Sequence, residues 1–201
     1  MTIIRKVLAV SIFSALTYAP IASAGIINGS FEANPQASGT WNIYQNLVGW
    51  TGGANGIELR NDVAGQAYDG VNYIELDTTH NSAASQILST ILGQSYLLTF
   101  AYSPRMNVPA ASNGIEVFWN DVSQGVVTGA GSSIGNNWSL ISMNVIGGTP
   151  TSTLRFQAVG TDDSLGGSLD AVSITTVPEP ATLALLGIGL AGLGFSRRKK
   201  A

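Results

Sequence analysis

The side chains of this 201-residue chain that could do chemistry are carboxylates, amides and aromatics, with one histidine and no cysteine. Two carboxylate pairs, Glu75 with Asp77 and Asp162 with Asp163, have the residue types for glycoside hydrolysis, which sets two carboxyl groups on either side of a sugar. Sequence spacing does not fix that separation. His80, within Thr78-Thr79-His80-Asn81-Ser82, follows a strand end in a polar loop. It reads as a solvated histidine, since a triad base needs a serine beside it and an acid behind it. No catalytic residue is assigned. The aromatics are the better lead: Trp41, Tyr44 and Trp50 crowd a Gly- and Asn-rich stretch, with Asn42, Gln45, Asn46 and Asn55 as amide neighbours. Sugars dock on such faces. The competing reading is packing, which is also expected for Trp119 and Trp138.

These groups must be positioned by strands. Gln94 to Tyr102 alternates cleanly, with Tyr96, Leu98, Phe100 and Tyr102 on one face and Leu97, Thr99 and Ala101 on the other. Further strands are predicted over 57–60, 71–77, 85–90, 115–119, 138–145, 153–159 and 169–175. No amphipathic helix of useful length is legible. Asp69-Gly70 and Asn113-Gly114 read as turns, and the Gly- and Ser-rich stretch 125–137 as a connecting loop. Short strands at this spacing predict an all-β fold, an antiparallel sandwich.

The two ends have a different character. Arg5 and Lys6 precede the apolar run Val7 to Ala19, and Ala22-Ser23-Ala24 supplies small residues for cleavage after Ala24. Residues 1–24 therefore read as a signal peptide handled by the Sec machinery. At the other end, Val177-Pro178-Glu179-Pro180 leads into the uncharged run Ala181 to Ser196 and the basic cluster Arg197-Arg198-Lys199-Lys200. That run is a short transmembrane helix candidate. The basic cluster is expected to stay cytoplasmic and hold its orientation. Pro178 and Pro180 keep the box extended, the conformation a protease needs.

Between the ends, residues 25–176 form one expected domain in which three arginines face eleven acids, a net charge of −8 masked by the whole-chain value of −3. A domain without lysine is a poor partner for phosphate backbones, which excludes nucleic acid. Without cysteine there is no disulfide or thiolate metal site.

The tail, with its Pro-Glu-Pro box, apolar segment and basic end in that order, resembles the PEP-CTERM sorting signal of Gram-negative bacteria. The resemblance implies that an exosortase, a membrane protease, cuts at or near Val177, Pro178, Glu179 and Pro180, leaving a protein at the cell surface or outside the cell. The domain resembles the galactose-binding-like jelly rolls through Asn28-Gly29-Ser30-Phe31-Glu32, Val48-Gly49-Trp50, 69–76 and Leu169-Asp170-Ala171-Val172-Ser173-Ile174. That resemblance implies close first and last strands and a structural calcium with Glu32 and Asp170 as side-chain ligands. Ala171 departs from the commoner Asn of the motif. The other reading of the same two acids is local: Glu32 capping nearby backbone and Asp170 satisfying loop amides.

Together these features predict an exported, non-catalytic surface or matrix protein, membrane-inserted as a precursor, that binds exopolysaccharide or supports a biofilm. A surface glycan hydrolase or esterase and a purely structural adhesion domain are the alternatives.

Overall fold

A computed structural model describes residues 25–148 and 150–178, all strand, turn and loop. Ala22, Ala24, Glu179, Pro180 and the Arg197 to Lys200 cluster lie outside the described residues. Twelve strands follow in chain order: β1 Thr40–Tyr44, β2 Asn46–Leu47, β3 Trp50–Gly52, β4 Ile57–Asn61, β5 Asn72–Glu75, β6 Ala83–Ser89, β7 Ser95–Ser103, β8 Gly114–Trp119, β9 Val122–Val127, β10 Ser139–Ile146, β11 Thr151–Val159 and β12 Ser168–Thr176. Among the described residues no helix is long and apolar enough to cross a membrane.

The strands form two six-stranded sheets, ordered β1-β4-β5-β12-β7-β10 and β2-β3-β6-β11-β8-β9. Every pairing is antiparallel, so the fold is the jelly-roll sandwich expected. The period-2 alternation in β7 and β11 sends Tyr96, Leu98, Phe100, Leu154 and Phe156 between the sheets. Trp50 packs there against Phe31 and Phe156, at centroid distances of 5.6 and 6.2 Å.

Two expectations need correction. The stretch 125–137 is loop only after Val127, because Gly125, with φ of +123°, absorbs a bulge that lets β9 pair with β8. Asn113 does not work as a positive-φ turn residue. It is fully buried, its Nδ2 donating to the carbonyls of Val108, Pro109 and Gly129 and its Oδ1 accepting from the Arg105 amide.

A second bulge positions the candidate site. Between Asp170 and Ser173, β12 carries one more residue than β7, and Ala171 takes a φ of +47° there. The extra residue reverses the alternation: Leu169 and, past the bulge, Val172 and Ile174 all reach the core, while Asp170 sits on the outer face.

Candidate functional site

The outer face of the first sheet is where polar and aromatic groups gather. In β4 and β5 the residues between core positions Ile57, Leu59, Ile74 and Leu76 are Glu58, Arg60, Tyr73 and Glu75. Loops cover them. Arg60 Nε meets Glu58 Oε1 at 2.6 Å and Arg60 Nη1 lies 2.7 Å from Glu75 Oε2. The Nη1 hydrogens do not point along that second contact, which makes it ionic rather than a hydrogen bond. Arg105 Nη1 meets the other Glu75 oxygen at 2.9 Å, and the Gly166 amide donates to the same oxygen. Burial pushes the Glu75 carboxyl upward against the two guanidinium groups that favour its charge. Asp77 is equally buried, its Oδ2 accepting from the amides of Asp163 and Leu165. Glu75 and Asp77 are thus closed off from a sugar, and the second pair is also engaged: Asp162 faces His80 Nδ1 at 3.1 Å, and Asp163 accepts from Ser112.

Sequence reasoning also missed a motif that is legible without the fold: Gly131-Ser132-Ser133-Ile134-Gly135 has the spacing of a nucleophile elbow. It lies in the loop before β10, with no helix after it, and the only side-chain partner of the His80 ring among the described residues is Asp162. The motif lacks its context.

Glu32 and Asp170 are brought to the two ends of one loop. Glu32 Oε1 accepts from the amides of Val71 and Asn72 at 2.9 and 2.7 Å. Asp170 Oδ2 accepts from Tyr68 and Asp69 at 2.8 and 2.9 Å, and its Oδ1 from Ala171. Ser30 donates to Asp69 at 2.6 Å, and the Val172 amide donates to the Gly29 carbonyl at 2.9 Å, so the first and last segments do lie side by side. A Cβ on Gly29 would collide with the Val172 carbonyl. Among the described residues no three His, Asp or Glu side chains gather as a metal-binding group. The donor set around these two carboxylates is amides, which suits tying a loop and does not fit enclosing a cation. Burial pushes the Asp170 carboxyl up to about 7, opposed by its amide donors.

The three candidate sugar-stacking rings separate. Trp50 is 2% exposed, its Nε1 donating to the Asn28 carbonyl, so it is core and not a platform. Tyr44 is half-buried with its hydroxyl on Gln36. Trp41 is 51% exposed and stands opposite Arg60 in the β1–β4 register. At the Asn61 end of the β1–β4 pair, a cleft of about 320 Å³ is lined by Ser38, Asn61, Asp62, Gln66 and the Gly70-Val71 turn. Thr40, next to Trp41, is the register partner of Asn61. The 62–71 loop adds an aromatic that sequence reasoning missed: exposed Tyr68 meets Trp138 edge-on at 6.3 Å, and the buried Tyr73 of β5 meets the same ring at 5.7 Å. Trp138 lies just before β10 rather than in a strand, and its Nε1 donates to the Gln66 carbonyl. The readable signal was an aromatic inside the glycine-bounded run Gly65 to Gly70.

Comparison with known proteins adds two findings. Residues 176–199 match the PEP-CTERM protein-sorting motif, whereas no curated protein matches the chain. Among solved structures, a Stig cyclase from Fischerella sp. TAU is similar over 79% of this chain and 99% of its own, at 15% identity and a TM-score of 0.57. The K1 cleaved adhesin domain of Lys-gingipain from Porphyromonas gingivalis W83 covers 69% and 98%, at 14% identity and a TM-score of 0.51. TmCBM61, solved with β-1,4-galactotriose, covers 76% and 99%, at 14% identity and a TM-score of 0.50. At such identity the shared property is the fold.

Proposed function

We propose that this PEP-CTERM-tailed protein is a non-catalytic glycan-binding component of the cell surface or extracellular matrix, taking exopolysaccharide at the Trp41 cleft. The sorting motif marks an exported, membrane-anchored precursor processed to the cell surface. The observation that carries the binding reading is Trp41, a half-exposed indole on an edge strand whose adjacent residue, Thr40, pairs with Asn61 in a cleft lined with hydroxyl, amide and carboxylate groups. An aromatic face with flanking hydrogen bonders suits a pyranose, whose C–H face is apolar and whose rim is polar. The adhesin and galactotriose-bound neighbours agree with this use of the fold. The setting is a Gram-negative envelope, with a role in biofilm.

A polysaccharide array probed with the exported mature protein tests it. Binding should be lost in Trp41→Ala, weakened in Tyr68→Ala and kept in Ile87→Ala, which removes an exposed apolar side chain from the other sheet. Absence of binding to every polysaccharide would favour a purely structural adhesion domain. Release of reducing ends would favour a hydrolase.

A further inference from the structure

Strand β12 ends at Thr176, and the chain stays fixed one residue further: the Val177 amide donates to the Ser95 carbonyl at 2.9 Å and the Val177 carbonyl accepts from Gln94 Nε2 at 2.9 Å. Only Pro178, Glu179 and Pro180 separate this point from the uncharged run beginning at Ala181. Four Cα steps reach at most about 14 Å. The end of the sandwich from which the tail leaves must therefore ride close to whatever surface holds that run.

That end has an unusual composition for an acidic domain. It is built from the turn between β6 and β7, the Asn120-Asp121 turn and the start of the β10–β11 connection. The turn between β6 and β7 joins the β10 end through Gly93 N to Gly147 O at 3.0 Å and Gly147 N to Gln94 O at 2.9 Å. Ile91, Leu92 and Ile146 stand on it, 43%, 72% and 54% exposed. Ile146 is the register partner of Ser95, the residue that holds Val177. The segments 89–95, 144–152 and 174–178 contain no charged residue. The one acid there among the described residues, Asp121, pairs with Arg155. The opposite end carries Asp77, Asp162 and Asp163 in the loops that follow β5 and β11. Among the described residues the acidic loops after β5 and β11 lie far from the tail, while the exposed aliphatics Ile91, Leu92 and Ile146 stand beside it.

We propose that the Ile91-Leu92-Ile146 tip is a lipid-docking surface that seats the domain on the outer leaflet while the precursor is membrane-inserted. The proposal rests on the sorting reading of the tail. A patch of three aliphatics binds lipid weakly alone, but a tether this short raises its effective concentration at the bilayer enough for a weak contact to stay made. A tip whose only charges among the described residues are one opposite pair also avoids the repulsion that anionic headgroups exert on the rest of the domain.

The chain has no cysteine, so single spin labels are unique. The full-length precursor, reconstituted in vesicles of phosphatidylethanolamine and phosphatidylglycerol, is labelled at Leu92→Cys, at Ile134→Cys in the exposed loop of the opposite end, or at Leu186→Cys in the tail. Accessibility to oxygen and to a water-soluble nickel complex is read by electron paramagnetic resonance. Leu92→Cys should show a several-fold loss of nickel collisions relative to Ile134→Cys, and Ile91→Glu with Ile146→Glu in the same chain should restore them. A Leu92 label as open as the Ile134 label, with the Leu186 label embedded, overturns the docking alone. An open Leu186 label overturns the sorting reading and the docking with it. Shielding that survives the double glutamate change, or that needs co-reconstituted exosortase, also overturns lipid docking.

Discussion

At the scale of single residues, two tryptophans nine positions apart have opposite roles. Trp50→Ala should destabilise by about 3–5 kcal/mol, the cost of emptying a packed aromatic site, as read by urea unfolding. Trp41→Ala should shift the same curve by no more than about 0.5 kcal/mol, as expected of a surface change. Asp170 gives a pH signature. Its folded carboxyl titrates at about 7, above the ordinary carboxylate range, because it is buried. Between the two values the folded state holds more protons than the unfolded one, so stability falls as pH rises from about 4 to about 7. The ceiling is about 1.4 kcal/mol for each pH unit of separation. Urea midpoints measured from pH 4.5 to 7.5 should show this slope, to which the buried Glu75 adds in the same direction, and Asp170→Asn should reduce it while also lowering stability at pH 4.5 by loosening the 68–72 loop. A wild-type curve that rises with pH would contradict the assignment. Trp41 was nameable from sequence. Its separation from Trp50 was not, because both sit in one Gly- and Asn-rich stretch whose three short strands have too few residues to display a period.

At the scale of elements, the long strands were legible, and so were the shorter β4, β5, β6 and β8, whereas four short strands were not. Strands β7, β10, β11 and β12 fall within one or two residues of their predicted bounds, because eight or nine residues alternate long enough to be read. Strands β1, β2, β3 and β9 escaped, the last because Gly125 resembles loop composition. The loop tied by Glu32 and Asp170 joins residues about 40 and 100 positions apart, a contact that local pattern does not encode. The bulge in β12 yields a test. Ala171 holds a left-handed backbone that alanine adopts at a cost of about 1–2 kcal/mol, whereas asparagine tolerates it. Ala171→Asn should raise Tm by about 1–4 °C, as seen by calorimetry. A lower Tm would mean that the bulge accommodates alanine without strain. At the end of the same strand, Gln94→Ala removes the donor to Val177. Amide hydrogen exchange at Val177 should quicken while exchange at Tyr96 and Leu98 stays slow, and equal quickening at all three would show that Gln94 supports β7 as a whole.

At the scale of the whole molecule, the chain is an acidic sandwich delivered by a tail of opposite charge. Mass spectrometry of the surface form should find Arg197 to Ala201 gone, and an intact tail on the mature protein would refute processing. The sorting motif was the most legible feature in the sequence because its three unlike elements stand in order at one end. The distribution of charge along the sandwich was not legible, since it depends on which loops the antiparallel connections bring to which end. Strand β12 has one more consequence. It lies inside its sheet between β5 and β7, and it pairs with β7 almost to the point where the tail departs. A mechanical load on the C terminus would pull β12 along its own length and strain that ladder of hydrogen bonds together in shear, whereas a strand peeled from an edge would lose them one by one. The domain is thereby suited to bearing tension at its point of attachment, with resistance set by the rate of forced unfolding rather than by equilibrium stability.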